Sequence, residues 1–189
     1  MALRALRDGE PLTMLTYMAY SEWRVEPDES EQEMTETVPD ARSFVRRCPW
    51  QRAWVEKDLL RYGRLYCLEI DQALVRGFNP DLQLEVLSTL SNDDRPCEFV
   101  FRDANLTPEN MQMLNAKKSA NQLRGGVLPW EYHTGHLYAA MKSVIEAELG
   151  EGGERILREA LSEFARCYGE QAPQVILSYQ AFDSDCLPD

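Results

Sequence analysis

The spacing of hydrophobic and polar residues divides the chain into segments typical of strands and of helices. Near the N-terminus, residues 14–25 (MLTYMAYSEWRV) and residues 41–47 (ARSFVRR) are rich in β-forming side chains. Residues 26–36 between them are acidic and turn-prone, and a run of like charge without histidine is more typical of a solvated loop than of a metal site. The pattern therefore predicts a β-hairpin with a long acidic loop.

Two more strands are predicted near the middle of the chain. Residues 82–90 (LQLEVLSTL) are mostly apolar, and residues 97–102 (CEFVFR) follow the turn-forming sequence SNDDRP. Because successive side chains of a strand point to opposite faces, Cys97, Phe99 and Phe101 are expected on one face. Both segments fit a half-buried antiparallel sheet.

Apolar residues at helical spacing predict two consecutive helices before these strands. The first begins at Pro49, a favoured first-turn residue, and ends at Gly63, and the second ends with Gly77 as its cap. Cys67 and Asp71 are four residues apart within the second helix, so they are expected to share one of its faces.

The last part of the chain is predicted to be mainly helical. Residues 107–126 predict a polar surface helix, and residues 129–169 predict a helical pair. An apolar stripe that includes His133 runs along the first helix of the pair up to Gly150. Residues 175–182 (VILSYQAF) predict an edge strand.

These segments predict the α+β class, with an antiparallel β-sheet packed against several α-helices. A length of 189 residues, 44% of them hydrophobic, is the size at which one core is usual. We therefore expect a single domain over residues 1–189.

The net charge of the chain disfavours some classes of function. There are 20 Lys and Arg residues against 32 Asp and Glu residues, and the net charge of -12 opposes binding to phosphate backbones or anionic lipids. The apolar runs are shorter than the roughly 20 residues of a membrane span, and the N-terminal sequence MALRALRDGEPL has no apolar signal core. We expect a cytoplasmic protein that binds neither nucleic acid nor membranes.

The cysteines are five in number and irregularly spaced, without a C-x-x-C pair. This pattern is typical neither of a secreted disulfide framework nor of a zinc ribbon. We expect reduced thiols that mostly pack in the core, and we expect neither a metal nor a cofactor.

A few titratable side chains are candidates for chemistry. His133 and His136 are the two histidines, and each is either a hydrogen-bonded core residue or an acid, base or substrate contact, since zinc usually takes three or four ligands. Asp71 follows LYCLEI on a helix expected to be buried, where it is either a general base or a tie to the turn near Asn79. Cys67 is a nucleophile only if a neighbouring group makes it a thiolate, and is otherwise a packing residue.

Four motifs in close order, FVRRCPW, YCLEIDQAL, GFNPDLQLE and PCEFVFRD, resemble the L-2-amino-thiazoline-4-carboxylic acid hydrolase family. They cover residues 44–103, the core motifs of the predicted domain. The helical pair at residues 129–169 is also similar to one in that family, where the pair commonly precedes the cysteine-bearing core. Family members often carry a glycine and an aspartate just before the last core cysteine, where this chain has Asp94, Arg95 and Pro96.

The resemblance implies a small-molecule hydrolase that opens a cyclic amidine of the thiazoline type at its carbon–sulfur or carbon–nitrogen bond, or a related biosynthetic enzyme. Such a step needs a base to activate water and donors for the developing charge and for a substrate carboxylate. The roles that the resemblance suggests are a base (Asp71), a nucleophile or pocket thiol (Cys67), proton carriers (His133, His136), a donor (Asn79), a carboxylate partner (Arg46 or Arg47) and further substrate contacts (Cys48, Trp50, Cys97).

Two other functions stay open at this point. The strand CEFVF is also similar to the closing strand of vinyl-4-reductase-type domains, which implies a non-catalytic domain that binds or senses a small apolar ligand. The wide apolar face at residues 156–168 is compatible with a structural protein that pairs with a second copy as a homodimer. A pocket with converging titratable groups favours the enzyme, and an apolar cavity favours ligand binding.

Overall fold

The computed structural model of the chain describes residues 1–93 and 95–179. The chain divides into two compact units, Met1–Val127 and Leu128–Asp189. The single domain over residues 1–189 stays a prediction.

The first unit contains a four-stranded antiparallel sheet with the strand order β1-β2-β4-β3. Its strands are β1 (Glu31–Glu36), β2 (Ala41–Arg47), β3 (Leu84–Ser88) and β4 (Cys97–Phe101). Its helices are α1 (Ala2–Arg7), α2 (Met14–Ala19), α3 (Pro49–Glu56), α4 (Leu60–Phe78), α5 (Leu90–Asp93) and α6 (Pro108–Leu123). The predicted α+β class, with an antiparallel sheet and several helices, is confirmed.

One face of the sheet carries the core of this unit. In β4, Cys97 and Phe99 are buried, and Phe101 packs against the same hydrophobic cluster, so the predicted face of this strand is confirmed. The register places Val45 of β2 opposite Cys97. Helix α4 contacts β3, and buried residues of α2, α4 and α6 share one hydrophobic cluster with Cys97 and Phe99, so helices cover the apolar side of the sheet.

The strand predicted at residues 14–25 is wrong, because its first half is the helix α2. Thr13 caps this helix, and its side chain accepts a hydrogen bond from the backbone N–H of Thr16 at 3.3 Å. Met14 is almost fully buried. Tertiary burial of one helical face, together with the cap, outweighs the β-propensity of the segment.

The solvated loop predicted at residues 26–36 is wrong in its second half, which forms the edge strand β1. Every residue of β1 is exposed, so hydrophobic burial does not explain the strand. Arginines of β2 compensate its acidic side chains: Arg46 pairs with Glu33 at 3.2 Å, and Arg42 with Glu36 at 3.1 Å. Opposite charges on neighbouring strands stabilise their pairing.

The two helices predicted after Pro49 are present, but the break between them does not lie at Gly63. It lies near Asp58, whose φ of 56° is in the left-handed region. Gly63 is buried inside α4, where the ring of Trp54 packs against it so closely that an added Cβ would lie 2.4 Å from the ring. Gly77 also lies inside α4, whose C-cap is Asn79. The sequence pattern treats a glycine as a helix end, but Gly63 lies within a helix because the lack of a side chain leaves room for the ring of Trp54.

The second unit is helical over its described residues 128–179. It contains α7 (Trp130–Leu149), α8 (Glu151–Tyr168) and α9 (Gln171–Ser178). The predicted helical pair is confirmed, with Gly150 between its members. The predicted edge strand at residues 175–182 is wrong up to Ser178, which is helical, and its last residues lie outside the described ones. In the described part of the chain, no helix is long and apolar enough to span a membrane.

Candidate functional site

The first unit contains a cavity of about 490 Å³ between the apolar face of the sheet and its covering helices. Leu84, Phe99 and Phe101 supply its apolar wall from the sheet. Helices α2, α4 and α6 supply polar groups, among them Tyr17 and Asp71. A mostly apolar cavity with a few polar groups is the usual form of a small-molecule site.

Asp71 is the acidic side chain of this cavity. Helix α4 positions it, four residues after Cys67 on the same helical face, as the sequence predicted. Burial raises the pKa of Asp71 from its ordinary value of 3.8 to about 6, because a carboxylate in an apolar setting loses hydration. Among the described residues, Asp71 has no ion-pair partner. The carboxylate is therefore mostly ionised, and a competent proton acceptor, at neutral pH.

Tyr17 of α2 lines the same cavity. Burial, and then the Asp71 carboxylate, raise the pKa of its hydroxyl well above the ordinary value, so Tyr17 stays protonated and remains a hydrogen-bond donor. Its ring packs edge-on against Phe78 with centroids 5.6 Å apart. Sequence reasoning missed Tyr17 because it assigned the segment to a strand. The sequence signal that identifies it is Thr13 as a helix cap, followed by apolar residues at helical spacing.

Cys48 and Asp71 both lie close enough to Cys67 and Cys97 to act on these two thiols electrostatically. Burial raises the pKa of Cys97 to about 11, with smaller contributions from Cys48, Asp71 and Cys67. Burial also raises the pKa of Cys67. The structure thus brings together four of the residues predicted for the site, although Asp71 alone among them lines the cavity.

Hydrogen bonds connect two of these thiols to the segment around α5. The Sγ of Cys67 lies 3.3 Å from the Oγ of Ser91, and the backbone N–H of Leu90 donates to the Sγ of Cys97 at 3.3 Å. The indole N–H of Trp54 approaches Cys67 and lowers its pKa slightly, but the contact is too poor in geometry to count as a hydrogen bond. These donors do not offset burial, so both thiols are protonated and weakly nucleophilic near neutral pH.

The other residues predicted for the site in the first unit do not line the cavity. The side-chain amide of Asn79 donates to the Leu12 carbonyl at 2.8 Å, and its Oδ1 accepts from the backbone N–H of Asp81 at 3.0 Å. Asn79 therefore ties the end of α4 to the chain before α2.

Three further residues predicted for the site lie on or beside β2. Arg46 forms an exposed ion pair with Glu33, and Arg47 is exposed at the end of the strand. Trp50 is half-buried on α3. The carboxylate partner predicted at Arg46 or Arg47 is not part of this cavity.

His133 and His136 lie in the second unit, on α7. His133 packs edge-on against Tyr132, with ring centroids 5.4 Å apart, and against Trp130 at 5.6 Å. Every residue that lines the cavity belongs to the first unit. The described residues contain no group of three or more His, Cys, Asp or Glu side chains placed to hold a metal ion.

Two polar residues of α6 complete the cavity, and sequence reasoning assigned neither of them. They are Asn115 and Lys118, which lie one turn apart on a helix that looked like an ordinary polar surface helix. Asn115 and Lys118 line the cavity because of the face that α6 turns towards the sheet. The local sequence carries little information about which face of a polar helix packs against its neighbours.

Comparison with known proteins identifies the family of the chain. A family model described as L-2-amino-thiazoline-4-carboxylic acid hydrolase matches residues 4–101, just over half of the chain. The match extends from α1 to the end of β4, so it includes Tyr17, Asp71 and the whole sheet. No curated protein and no solved structure matched the chain significantly. The chain belongs to the L-2-amino-thiazoline-4-carboxylic acid hydrolase family.

Proposed function

We propose that the protein is a small-molecule hydrolase that opens a cyclic amidine of the thiazoline type, with Asp71 as the general base. The observation that carries the proposal is a half-buried carboxylate in the wall of a cavity, where burial raises its pKa to about 6. A base of this pKa is mostly ionised at neutral pH and still binds a proton readily, which is the compromise that proton transfer requires. Membership of a hydrolase family supports the reaction class.

The reaction requires one water molecule and no redox partner. Asp71 accepts a proton from water while the water oxygen bonds to the sp² carbon between nitrogen and sulfur. The ring nitrogen takes a proton from solvent as the carbon–nitrogen double bond becomes single. The hydroxyl group of the intermediate then returns a proton to solvent as it becomes a carbonyl group, the carbon–sulfur bond breaks, and the proton held by Asp71 passes to the departing sulfur. The product is an N-carbamoyl thiol.

Tyr17 has a supporting role in this scheme. Its hydroxyl stays protonated beside Asp71, so it can donate a hydrogen bond to the charge that develops on the substrate. Cys67 is disfavoured as the nucleophile, because burial raises its pKa and keeps the thiol protonated. Water activated by Asp71 is therefore the better supported nucleophile.

The test is release of free thiol from 2-amino-thiazoline-4-carboxylate by the purified protein. We expect turnover by the wild type and a loss of about a hundredfold or more in Asp71→Asn, the usual contribution of a general base. Glu69→Gln is the matched control, because Glu69 is an exposed carboxylate of the same helix that does not line the cavity. A folded Asp71→Asn protein with full turnover would eliminate Asp71 as the base.

A second candidate function is binding of a small apolar ligand without catalysis. The phenyl rings of Phe99 and Phe101 in the cavity wall favour it. Stoichiometric binding of a thiazoline by folded protein, without thiol release, would support this function over hydrolysis.

A further inference from the structure

The ammonium groups of Met1 and Lys118 line the cavity, and they differ in whether an acidic side chain pairs with them. The N-terminal ammonium of Met1 pairs with Glu22 at 2.6 Å. Lys118, by contrast, forms no ion pair with any residue in the described ranges 1–93 and 95–179, although it lines the cavity. The adjacent Lys117 pairs with Glu10 and does not line it. In a chain of net charge -12, Lys118 is thus a solvent-exposed cation at the cavity wall that has no acidic partner among the described residues.

The geometry of α6 places a neutral donor beside this cation. Leu114, Asn115 and Lys118 all line the cavity, and they occupy a single turn of the helix. Leu114 is buried in the core, which fixes the orientation of that turn. An amide N–H and an ammonium group on one helical turn can both donate to the oxygens of a carboxylate.

Helix α6 lies outside the residues that match the family model. The match ends at residue 101, whereas α6 begins at Pro108. Asp71 therefore lies within the matched residues, and Lys118 lies outside them, on a different wall of the same cavity.

We infer that Lys118, with Asn115 beside it, binds the carboxylate of an anionic heterocyclic ligand and so selects it over the uncharged analogue. The inference rests on the proposed function in taking this cavity as the substrate site. Lys118 is a specificity residue here, since it contacts a part of the ligand that does not react. Asp71 cannot fill this role, because an ionised carboxylate repels another.

The experiment compares binding of two saturated rings, which lack the sp² carbon and are not hydrolysed: thiazolidine-4-carboxylate and thiazolidine. Isothermal titration calorimetry is performed on the full chain, as wild type, Lys118→Gln, Lys118→Arg and Lys117→Gln. We expect the wild type to prefer the carboxylate. Lys118→Gln should weaken its binding by about tenfold to a hundredfold, the effect of losing one charge-assisted hydrogen bond. Binding of thiazolidine should not change.

The two control variants separate a specific contact from general effects. Lys117→Gln removes the same charge from the same helix and should leave the preference for the carboxylate intact, and Lys118→Arg should retain most of it. Equal binding of both rings by the wild type, binding of neither, or an unchanged preference in Lys118→Gln would overturn the inference. Carboxylate-selective binding without thiol release from the thiazoline would overturn the proposed hydrolysis and leave the role of Lys118 standing.

Discussion

Tyr17 and Asp71 line the wall of one cavity, where burial, and then the Asp71 carboxylate, raise the pKa of the Tyr17 hydroxyl. One belongs to α4 and the other to α2, helices that are far apart in the sequence. Asp71 provides a proton acceptor. The hydroxyl of Tyr17 keeps its proton at neutral pH and provides a hydrogen-bond donor. A base next to a hydrogen-bond donor is the arrangement that addition of water to a carbon–nitrogen double bond requires.

The rate of thiol release should depend on the ionisation of Asp71. Its pKa of about 6 lies above the ordinary value of 3.8, so the active, ionised form is lost as the pH falls below about 6. The measurement is kcat/KM for 2-amino-thiazoline-4-carboxylate between pH 4.5 and about 8, within the range in which the protein stays folded. A rate that stays constant down to about pH 4.5 would contradict the assignment of Asp71 as the base.

The folded protein should become less stable as Asp71 ionises. Between pH 3.8 and about 6 the folded state holds a proton that the unfolded state has released, so the contribution of Asp71 to stability falls as the pH rises through this window and is constant above it. Asp71→Asn removes this cost. The stability advantage of the variant, measured as unfolding free energy, should grow by about 2 kcal/mol from pH 4 to pH 7, at roughly 1.4 kcal/mol per pKa unit. Urea unfolding at several pH values measures the difference, and an advantage independent of pH would disprove the prediction.

Tyr17→Phe should lose activity without losing stability. The ring keeps its edge-on packing against Phe78, whereas the donor hydroxyl is removed. We expect kcat to fall on the order of a hundredfold, as for loss of one donor to developing charge, with an unchanged melting temperature. The matched control is Tyr62→Phe, since Tyr62 is an exposed residue of α4 outside the cavity. Equal activity of the two variants would remove Tyr17 from the mechanism.

The buried thiols should react slowly with alkylating agents. Burial raises the pKa of Cys67, and that of Cys97 to about 11, so few of these groups are thiolates at pH 7.5. We expect both to be alkylated by iodoacetamide at least about tenfold more slowly than the exposed Cys167, as measured by peptide mass spectrometry. In urea the three rates should become similar. A Cys67 that reacts faster than Cys167 in the folded protein would restore it as a nucleophile.

Alanine should have opposite effects at two glycines of α4. At Gly63 an added Cβ would lie 2.4 Å from the ring of Trp54, whereas at Gly77 nothing lies within 4 Å. We expect Gly63→Ala to destabilise the protein by about 1–3 kcal/mol through overpacking. Gly77→Ala should stabilise it by up to about 1 kcal/mol, because alanine has the higher helix propensity. Two variants of equal stability in urea unfolding would show that Trp54 moves aside freely.

Features determined by neighbouring residues were predictable from the sequence. The strand Ala41–Arg47, the apolar face of Cys97–Phe101 and a helix within residues 107–126 were predicted and are present in the structure. The shared helical face of Cys67 and Asp71 follows from their spacing alone. These features depend on periodicity and capping, which operate over a few residues.

Features that depend on distant contacts were decided only by the tertiary structure. Residues 31–36 form a strand because their backbone pairs with β2, and arginines of β2 form ion pairs with their carboxylates. The first half of residues 14–25 is helical because one helical face is buried in the core. The cavity exists because α2, α4 and α6 meet over one face of that sheet, which brings Tyr17 and Lys118 to it along with Asp71. The sequence by itself determined the family and the α+β class, and it offered Asp71 as a candidate base. Burial, which shifts the pKa of that residue, arises only when segments distant in sequence pack together.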